Sequence, residues 1–361
     1  METAQYHQAL EAATADRDLV VAPVTTGLIN KTFKVIVEDS GEKFLLQQIN
    51  TVVFPEPEKV QDNYQKIWSH LYHEASLPGA TCPVSIPAPR EFLDGSRLFC
   101  DHHKRYWRLF EFIDNTQTIP APVNHFQAKT VAQTFGAITA SFAAYDISSF
   151  HTTVPGFHDL SLRFGQFRSA LHSRQYDRLQ KAAPVIEQLK RRERYVSFYE
   201  VMISSEEFLP RLMHHDAKIS NILFNEETGN VICPVDFDTC MPGYFFSDLG
   251  DMIRSMAGNE DENNTGVDAI TIRKDYYQSI LDGYLEIMSP LLTNAEKKYI
   301  HYTGLLMIYM QALRFMTDYL QGDTYYYTHY PDQNFDRARN QLVLLQKLEE
   351  FLHEQYNLRY D

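Results

Sequence analysis

The chain carries His-His-Asp-Ala-Lys-Ile-Ser-Asn at residues 214–221 and Val-Asp-Phe-Asp-Thr-Cys-Met-Pro-Gly-Tyr-Phe-Phe-Ser-Asp-Leu-Gly-Asp-Met-Ile-Arg at residues 235–254. Between these two acidic clusters, residues 222–235 have the pattern of a β-hairpin with its turn at Glu227 to Asn230. One cluster therefore precedes the first strand of the hairpin, and the other follows the second strand. This layout suits metal-assisted phosphoryl transfer, which needs a base for the acceptor hydroxyl and oxygen ligands for Mg²⁺.

The first cluster offers a residue for each part of that chemistry. Asp216 is expected to accept or orient the proton of the attacking hydroxyl, and Asn221 is expected to give a neutral oxygen to Mg²⁺. Lys218 is expected to neutralise the γ-phosphate as charge develops. His214 is expected to hold the loop by hydrogen bonding rather than to transfer protons.

The second cluster offers two carboxylates. Asp236 is expected to end an apolar strand and to point its carboxylate at the same metal. Asp238 is expected on the same face for as long as the strand continues, because side chains two residues apart on a strand share a face, and it is a candidate for a second metal or a substrate hydroxyl. The alternative is that these acids are ordinary loop residues, since Asp and Asn are common where strands end. The combined spacing favours the catalytic interpretation.

Composition excludes several classes of protein. The 361 residues suit two lobes, and the net charge of −14 argues against a nucleic-acid or anionic-membrane partner. No apolar stretch approaches the roughly 18 residues of a membrane span. The N-terminus lacks a basic region followed by an apolar run. The four cysteines have no CxxC spacing, which argues against zinc or a disulfide framework. We therefore expect a cytoplasmic protein with a small-molecule partner.

The hydrophobic pattern changes once along the chain. Residues 20–50 alternate as three antiparallel strands, residues 55–73 have helical spacing, and two more strand candidates begin at Arg90 and Tyr106. After Asp114 the pattern is mostly helical, at residues 125–145, 174–201, 267–288, 294–320 and 332–356. The sequence therefore predicts an α+β protein with a nucleotide-binding lobe at residues 1–113 and a catalytic and substrate-binding lobe at residues 114–361.

The spacing His214-x-Asp216-x-x-x-x-Asn221, followed by Asp236-Phe-Asp, resembles the catalytic signature of the aminoglycoside phosphotransferase and choline kinase superfamily. These proteins are distant relatives of protein kinases. The segment Gly27 to Val35, between the first two predicted strands, resembles the nucleotide loop of the same superfamily. The resemblance implies a protein-kinase-like, two-lobed fold with a small antiparallel-sheet N-lobe, a mostly helical C-lobe, and ATP between the lobes.

Other segments are similar to the N-acetylhexosamine 1-kinases within that superfamily. They are Leu45 to Phe54, His158 to Phe164, Asp236 to Gly243, Asp248 to Arg254 and Arg314 to Tyr325. The resemblance implies ATP and Mg²⁺ as cofactors. It also implies an acceptor, GlcNAc or GalNAc, that is phosphorylated at its anomeric hydroxyl.

The same resemblance assigns roles to individual residues. Asp216 would be the catalytic base, and Asn221 and Asp236 would be the Mg²⁺ ligands. Arg314 and Tyr325 would contact the sugar and its N-acetyl group, and the remaining substrate contact would be Asp238. The nucleotide-binding residues would be Gly27, Asn30, Lys31, Thr32, Gln47, Glu111 and Ile113, with adenine near Glu111 to Ile113. The alternative for Arg314 is an ordinary helix-surface arginine. Asp248 and Arg254 are expected to hold the catalytic loop.

One departure from protein kinases concerns the third strand. Protein kinases place a lysine there to hold the α- and β-phosphates, whereas this chain has Gln47 and Gln48. A glutamine donates only neutral hydrogen bonds. Lys31, Lys34 and Lys43 are candidates to supply the missing charge.

Two other functions stay open on the sequence alone. A kinase of the same fold could act on another hydroxylated metabolite, such as an amino alcohol, another sugar or an aminoglycoside. A nucleotide-binding pseudokinase scaffold is suggested by the missing strand cation. Against the scaffold, Asp216, Asn221 and Asp236 are all present.

Overall fold

The computed structural model of the protein describes residues 6–25, 29–76 and 84–358. The chain divides into two compact units. Unit 1 comprises Met1–Thr118, Asp146–Pro155 and Asn221–Pro242, and unit 2 comprises Ile119–Tyr145, Gly156–Ser220 and Gly243–Asp361. The functional division at residue 113 that the sequence predicts is a statement about ligand binding, and it stays a prediction.

Unit 1 is built on an antiparallel sheet. Its strands are β1 (Leu19–Val24), β2 (Lys31–Val37), β3 (Lys43–Ile49), β4 (Pro89–Arg90), β5 (Phe99–Cys100) and β6 (Tyr106–Glu111). The path across the sheet is β1-β2-β3-β6-β4, and β5 pairs with β6. The three consecutive strands predicted within residues 20–50 are therefore confirmed. The strand predicted to begin at Arg90 is much shorter than expected, because the chain turns after that residue.

The two faces of this sheet have different chemistry. One face carries Val35, Leu46 and Trp107, which are buried in an apolar cluster with the short helix α1 (His7–Thr14). The opposite face carries Thr32, Gln47 and Arg108, because Gln47 lies across from Thr32 on β2 and from Arg108 on β6, and residues paired in this way share a face. Three polar side chains that are linked by hydrogen bonds thus share one face of the sheet.

Helix α2 (Pro57–Ala75) confirms the helix predicted at residues 55–73. A proline at its first position suits a helix start, since the N–H that proline lacks has no partner in the helix. Its buried face includes Val60, Tyr64, Ile67 and Leu71. This is the set expected from three- and four-residue spacing.

The predicted hairpin completes unit 1. Strand β9 (Ile222–Asn225) pairs antiparallel with β10 (Val231–Pro234), and β7 (Thr116–Gln117) pairs with β9 on its other side. After β10 the chain leaves the extended conformation at Asp236, which has φ 66° and ψ 59°. A left-handed conformation is uncommon for a residue other than glycine and often marks a functional segment.

Unit 2 is mostly helical. Its elements are α3 (His125–Ser141), α4 (Leu160–Ala170), α5 (Tyr176–Lys190), α6 (Arg194–Ile203), β8 (Arg211–Met213), α7 (Phe246–Met256), α8 (Lys274–Met288), α9 (Asn294–Lys298), α10 (Tyr302–Gln321) and α11 (Gln333–Tyr356). A short strand, β11 (Met241–Gly243), spans the boundary between the units. Helix α10 is buried along most of its length and packs against α7 and α11, while α3 packs against α8.

These elements confirm the α+β, protein-kinase-like fold class. Two of the long helical patterns are each divided into two helices. The pattern at residues 174–201 breaks at Arg191 to Glu193, and the pattern at residues 294–320 breaks at Tyr299 to His301. Among the described residues, no helix has the length and apolarity that crossing a membrane requires.

Candidate active site

The loop that carries Asp216 follows strand β8 in unit 2. Asp248, at the start of α7, accepts the backbone N–H of His214 at 2.9 Å and that of His215 at 2.7 Å. His215 has φ 63°, so its backbone is left-handed, and the two bonds to Asp248 hold the loop in this shape. The imidazole of His214 is buried and meets the ring of Phe135 edge-on at 5.0 Å.

Lys218 lies beside the predicted base. Its Nζ is 2.9 Å from Oδ2 of Asp216, and its backbone N–H donates to the Asp216 carbonyl at 2.9 Å. Both side chains are partly exposed. The structure therefore places the two predicted catalytic residues together in unit 2, where the ammonium group holds the carboxylate in one orientation.

The two predicted Mg²⁺ ligands lie at one end of the hairpin in unit 1. Ile222 and Pro234 are paired across β9 and β10, so Asn221 directly precedes the hairpin and Asp236 follows it. The backbone N–H of Val235 donates to the carbonyl of Asn221 at 2.9 Å and joins the two segments. Asp236 is exposed, whereas Asn221 is only 6% exposed.

The expectation for Asp238 is wrong in its geometry. Phe237–Thr239 form a 3-10 turn, so Asp238 does not continue a strand face. The left-handed backbone at Asp236 ends the extended segment and turns the next residues inward. The Asp238 carboxylate is buried, with Oδ1 2.5 Å from Nη2 of Arg108 and Oδ2 accepting from Nδ2 of Asn30 at 2.7 Å.

The predicted nucleotide residues are partly connected within unit 1. Gln47 Nε2 donates to Thr32 Oγ1 at 2.9 Å, and Gln47 Oε1 accepts from Arg108 Nε at 2.9 Å. Asn30 Oδ1 accepts the backbone N–H of Asn50 at 2.9 Å. These contacts place Asn30, Thr32 and Gln47 in one polar network.

The other predicted nucleotide contacts in this region are Gly27 and the candidate lysines. Gly27 lies outside the described residues. Lys31 is exposed and paired with Gln48, so it belongs to the sheet face opposite Gln47. Lys43 forms an ion pair with Asp114 at 2.7 Å. Lys34 and Lys43 both lie on the Gln47 face of the sheet. The Nζ of Lys34 is 4.0 Å from the centre of the Phe112 ring.

The predicted adenine segment, Glu111 to Ile113, follows β6. The backbone N–H of Glu111 donates to the carbonyl of Ala88 at 2.9 Å, and the carbonyl of Ile113 accepts from Oγ1 of Thr116 at 2.8 Å. An adenine ring that bonded to the N–H of Glu111 or to the carbonyl of Ile113 would have to replace a hydrogen bond within the protein. The placement of adenine here stays a prediction.

The predicted sugar contacts, Arg314 and Tyr325, come together in unit 2. The Arg314 guanidinium carbon lies 5.0 Å from the ring centre of Phe157, 5.9 Å from that of Tyr325 and 5.6 Å from that of Tyr326. These distances are within the range of cation–π contacts. Arg314 is therefore half-buried among aromatic rings and is not a simple surface arginine.

A buried aspartate organises the segment that carries Tyr325. Asp318, on α10, accepts the backbone N–H groups of Thr324 at 2.8 Å, Tyr325 at 2.8 Å and Tyr326 at 2.9 Å. Gly322, with φ 95°, ends α10 just before this turn, and a left-handed glycine is a common helix terminator. The side chain of Tyr325 is 58% exposed, so its ring is accessible to a ligand.

A contact path connects this cluster to the catalytic loop within unit 2. Phe157 is stacked on His158 with ring centres 4.6 Å apart, and Nδ1 of His158 lies 3.2 Å from Nδ1 of His215. His215 directly precedes Asp216. Gly243 lies against the His215 imidazole so closely that a Cβ there would overlap it.

Burial shifts the acidity of several groups in unit 2. Burial raises the pKa of Asp248 to about 7, although the amides of His214 and His215 favour its charged form. Burial and the nearby charges of His215 and Arg314 hold the pKa of His158 well below its usual value, so this imidazole is neutral at pH 7. Burial and the neighbouring Arg314 also lower the pKa of Arg163.

Arg254, which was predicted to hold the catalytic loop, forms ion pairs with two other acidic side chains. Its Nε lies 2.7 Å from Asp251 Oδ1, and its Nη1 lies 2.7 Å from Glu262 Oε2. Burial raises the pKa of Asp251, and Arg254 and Asp216 are the charges that act on it most strongly. Arg254 thus stabilises the acids behind the loop, while Asp248 binds the loop itself.

Comparison with known proteins identifies the family. Residues 20–280, well over half of the chain, match the model of the phosphotransferase enzyme family. The chain belongs to this family. It is an ATP-dependent phosphotransferase that acts on a hydroxyl acceptor and uses Mg²⁺.

Solved structures share the fold of this phosphotransferase. Spectinomycin phosphotransferase, in a complex with ADP and spectinomycin, matches with a TM-score of 0.59 and 10% identity over 96% of this chain and 98% of its own. Choline kinase from Cryptosporidium parvum matches with a TM-score of 0.55 and 13% identity over 99% and 98%. An aminoglycoside phosphotransferase from Alicyclobacillus acidocaldarius matches with a TM-score of 0.56 and 14% identity over 97% and 95%.

The residues at the end of the hairpin fit Mg²⁺. Asn221 and Asp236 offer hard oxygen ligands, and a backbone hydrogen bond joins their segments. Across the described ranges, no group of three or more His, Cys, Asp or Glu residues could hold a metal ion by itself. Mg²⁺ on nucleotides commonly takes only one or two protein ligands and completes its shell with phosphate oxygens and water.

Three residues that contact the predicted site residues have no role assigned from the sequence: Arg108, Asp318 and His158. Arg108 lies on β6, and its contacts with Gln47 and Asp238 depend on tertiary structure. Asp318 and His158 lie within segments that resemble N-acetylhexosamine 1-kinases, yet their bonds to the Tyr325 segment and to His215 depend on tertiary structure.

Proposed function

We propose that this phosphotransferase transfers the γ-phosphoryl group of ATP to the anomeric hydroxyl of an N-acetylhexosamine, GlcNAc or GalNAc, and forms the sugar 1-phosphate. The observation that carries the proposal is the cluster of Arg314, Tyr325 and Phe157, which is connected through His158 to His215, the neighbour of Asp216.

The chemistry of this cluster suits a pyranose with an acetamido group. Aromatic rings pack against the apolar face of a sugar, and a guanidinium donates directional hydrogen bonds to an amide carbonyl or a hydroxyl. Tyr325 offers an exposed ring and a hydroxyl, and Arg314 offers a planar cation beside it. An acceptor bound here would need apolar faces and hydrogen-bond acceptors.

The charge of the cluster disfavours a cationic acceptor. Arg163 and Arg314 are close enough that the charge of Arg314 helps to lower the pKa of Arg163. Bringing an ammonium group beside these two half-buried guanidinium groups is repulsive. The alternative acceptors with amino groups, an amino alcohol or an aminoglycoside, are therefore less suited to this site than a neutral acetamido sugar.

The residues of the chain divide the work of the reaction. Asp216 accepts the proton of the attacking hydroxyl, and Lys218 holds the Asp216 carboxylate in place and adds positive charge beside it. Asn221 and Asp236 would hold Mg²⁺, which neutralises charge on the phosphates when bound. An anomeric hydroxyl is more acidic than an ordinary alcohol, so Asp216 need not be a strong base, and alignment supplies much of the acceleration.

Turnover of Mg²⁺-ATP with a panel of acceptors tests the proposal. The panel contains GlcNAc, GalNAc, glucose, choline, ethanolamine and kanamycin, and the product is analysed by phosphorus and proton NMR. We expect turnover with one or both acetamido sugars and a phosphorus nucleus coupled to the anomeric proton. Preferred turnover of choline, ethanolamine or kanamycin would overturn the acceptor assignment and favour the amino-alcohol or aminoglycoside alternative. A phosphomonoester at another sugar position would overturn the anomeric assignment.

A further inference from the structure

Arg108 is a buried cation on the polar face of the sheet in unit 1. It lies on β6 directly across from Gln47 on β3, and its side chain is only 2% exposed. Its guanidinium carbon is 4.9 Å from the ring centre of Phe110, which packs beside it on the same strand face. A buried arginine is uncommon unless each of its N–H groups has a partner.

The bonds of Arg108 leave one end of the guanidinium without an acceptor. Nε and Nη2 donate to Oε1 of Gln47 at 2.9 Å and 2.5 Å, and Nη2 also donates to Oδ1 of Asp238 at 2.5 Å. Within the described part of the chain, Nη1 is buried and has no hydrogen-bond partner. A buried donor that lacks an acceptor is destabilising, and the N–H groups of a cation are the costliest to leave in that state.

The surroundings favour an anion as the missing acceptor. The Thr32 and Gln47 side chains beside Arg108 are neutral, and Asp238 is the only acidic partner that bonds to the guanidinium in the described residues. Asp238 lies two residues from Asp236, the proposed Mg²⁺ ligand. Nη1 of Arg108 therefore belongs to the same network as the residues predicted to hold the nucleotide. On the third strand of this sheet, Gln47 stands where protein kinases have a lysine.

We propose that Arg108 binds the phosphate groups of the nucleotide and supplies, from β6, the positive charge that protein kinases supply from the third strand. Gln47 then serves as a positioning residue, because its Oε1 holds Nε and Nη2 and leaves Nη1 for a phosphate oxygen. Asp238 orients the other side of the same guanidinium. The inference rests on the use of ATP and does not depend on which acceptor is phosphorylated.

Binding measurements without an acceptor test this proposal separately from the sugar assignment. Isothermal titration with ATP, ADP and adenosine, each with Mg²⁺, is compared for two variants, Asp238→Asn and Arg108→Gln/Asp238→Asn. The pair avoids leaving the buried Asp238 carboxylate without its cation. Asp238→Asn, which keeps a side-chain oxygen beside Nη2, is the reference against which the double variant is compared. The double variant should bind ATP and ADP roughly 10- to 100-fold more weakly, the range for a charge-assisted hydrogen bond, and bind adenosine within about twofold of the parent.

Three further variants complete the test. Arg90→Gln removes a strand arginine that pairs with Glu42 and should leave every affinity unchanged. Arg108→Lys, which keeps the charge, should retain more ADP affinity than the double variant and carries the comparison if the double variant does not fold. Adding Gln47→Lys to the double variant should restore part of the ADP affinity. Equal losses for ADP and adenosine, or no loss for ADP, would overturn the proposal, since a structural arginine or one bonded only to water gives those results.

Discussion

The carboxylate of Asp248 accepts the backbone N–H of His215 at 2.7 Å and that of His214 at 2.9 Å, so one buried side chain fixes two consecutive residues before Asp216. The bond to His215 is made at a left-handed backbone, where most residues are strained. The position of the proposed base thus depends on a residue of α7, more than thirty positions later in the chain.

Replacing Asp248 by Ala removes both acceptors and leaves two buried N–H groups without partners. We expect the free energy of unfolding to fall by roughly 2–4 kcal/mol and the turnover number to fall with it, because the Asp216 loop loses its support. Chemical denaturation and steady-state kinetics measure the two effects. Asp268→Asn, at an exposed position, is the control and should leave both unchanged. Full activity in Asp248→Ala would contradict the proposed support of the loop.

The pKa of Asp248 predicts a pH dependence of stability. Burial raises this pKa to about 7, whereas in the unfolded chain the same carboxyl group has its ordinary pKa of 3.8. Between these two values the native state binds more protons than the unfolded state, so the contribution of Asp248 falls as pH rises, by at most about 1.4 kcal/mol per pH unit. Urea unfolding of the parent and of Asp248→Asn from about pH 5 to pH 8 tests this. The parent should lose stability relative to the variant until about pH 7 and then level off, and a constant difference would contradict the assignment.

Replacing Asp216 by Asn should reduce turnover at least 100-fold, the lower part of the range for a general base. Nucleotide binding should change little, because asparagine has nearly the same size as aspartate and none of the predicted nucleotide residues is altered. Isothermal titration with Mg²⁺-ADP and single-turnover kinetics separate the two effects. A folded Asp216→Asn protein that no longer binds nucleotide would show that Asp216 has a different role.

Gly250 on α7 marks a close approach to α10. A Cβ at this position would overlap the backbone carbonyl oxygen of Thr303 and the side chain of Met307, and the backbone oxygen has little freedom to move. We expect Gly250→Ala to reduce the free energy of unfolding by roughly 1–3 kcal/mol. Gly165→Ala on α4 is the matched control, since a Cβ there has no atom within 4 Å. Alanine should stabilise that helix by about 0.5–1 kcal/mol, and equal effects at the two positions would contradict the close packing of α7 on α10.

The sequence predicted the parts of the fold that depend on local pattern. The alternation of apolar and polar residues predicted β1, β2 and β3, and apolar residues at three- and four-residue intervals predicted the buried face of α2. Both predictions succeed because hydrophobic periodicity depends directly on which side of an element faces the core. Asp238 was misplaced because alternation assumes continued extension, and the left-handed backbone at Asp236 interrupts it. No local pattern indicates such a conformation at an aspartate.

Arg108 shows why part of the candidate site could not be predicted. Its partners Gln47 and Asp238 are 61 and 130 positions away in the chain, and their meeting depends on the register of β3 against β6 and on the turn after β10. In the sequence, Arg108 lies within the strand candidate that begins at Tyr106, and the local pattern does not indicate which partners its side chain meets. Only the tertiary structure shows that this face is buried and that the arginine is held between a glutamine and a carboxylate.

A substitution at Asp318 should weaken binding of the phosphoryl acceptor without changing any residue proposed to contact it. Its carboxylate accepts three consecutive N–H groups, from Thr324 to Tyr326, and the amide of Asn334 donates to it at 2.9 Å. Asp318→Ala should release the Tyr325 segment, raise KM for the acceptor by about tenfold or more, and leave the affinity for Mg²⁺-ADP unchanged.

Two comparisons separate this positioning effect from general damage. Asp336→Ala removes an acid of α11 whose partners are Arg339 and Tyr330, and it should leave KM for the acceptor unchanged. Arg314→Ala should raise KM for the acceptor as Asp318→Ala does, and combining the two substitutions should cost less than the sum of their separate effects, because both act on the same cluster. Strictly additive effects would mean that Asp318 does not act through the Arg314 and Tyr325 contact. An unchanged KM in both single variants would place acceptor binding elsewhere in the protein.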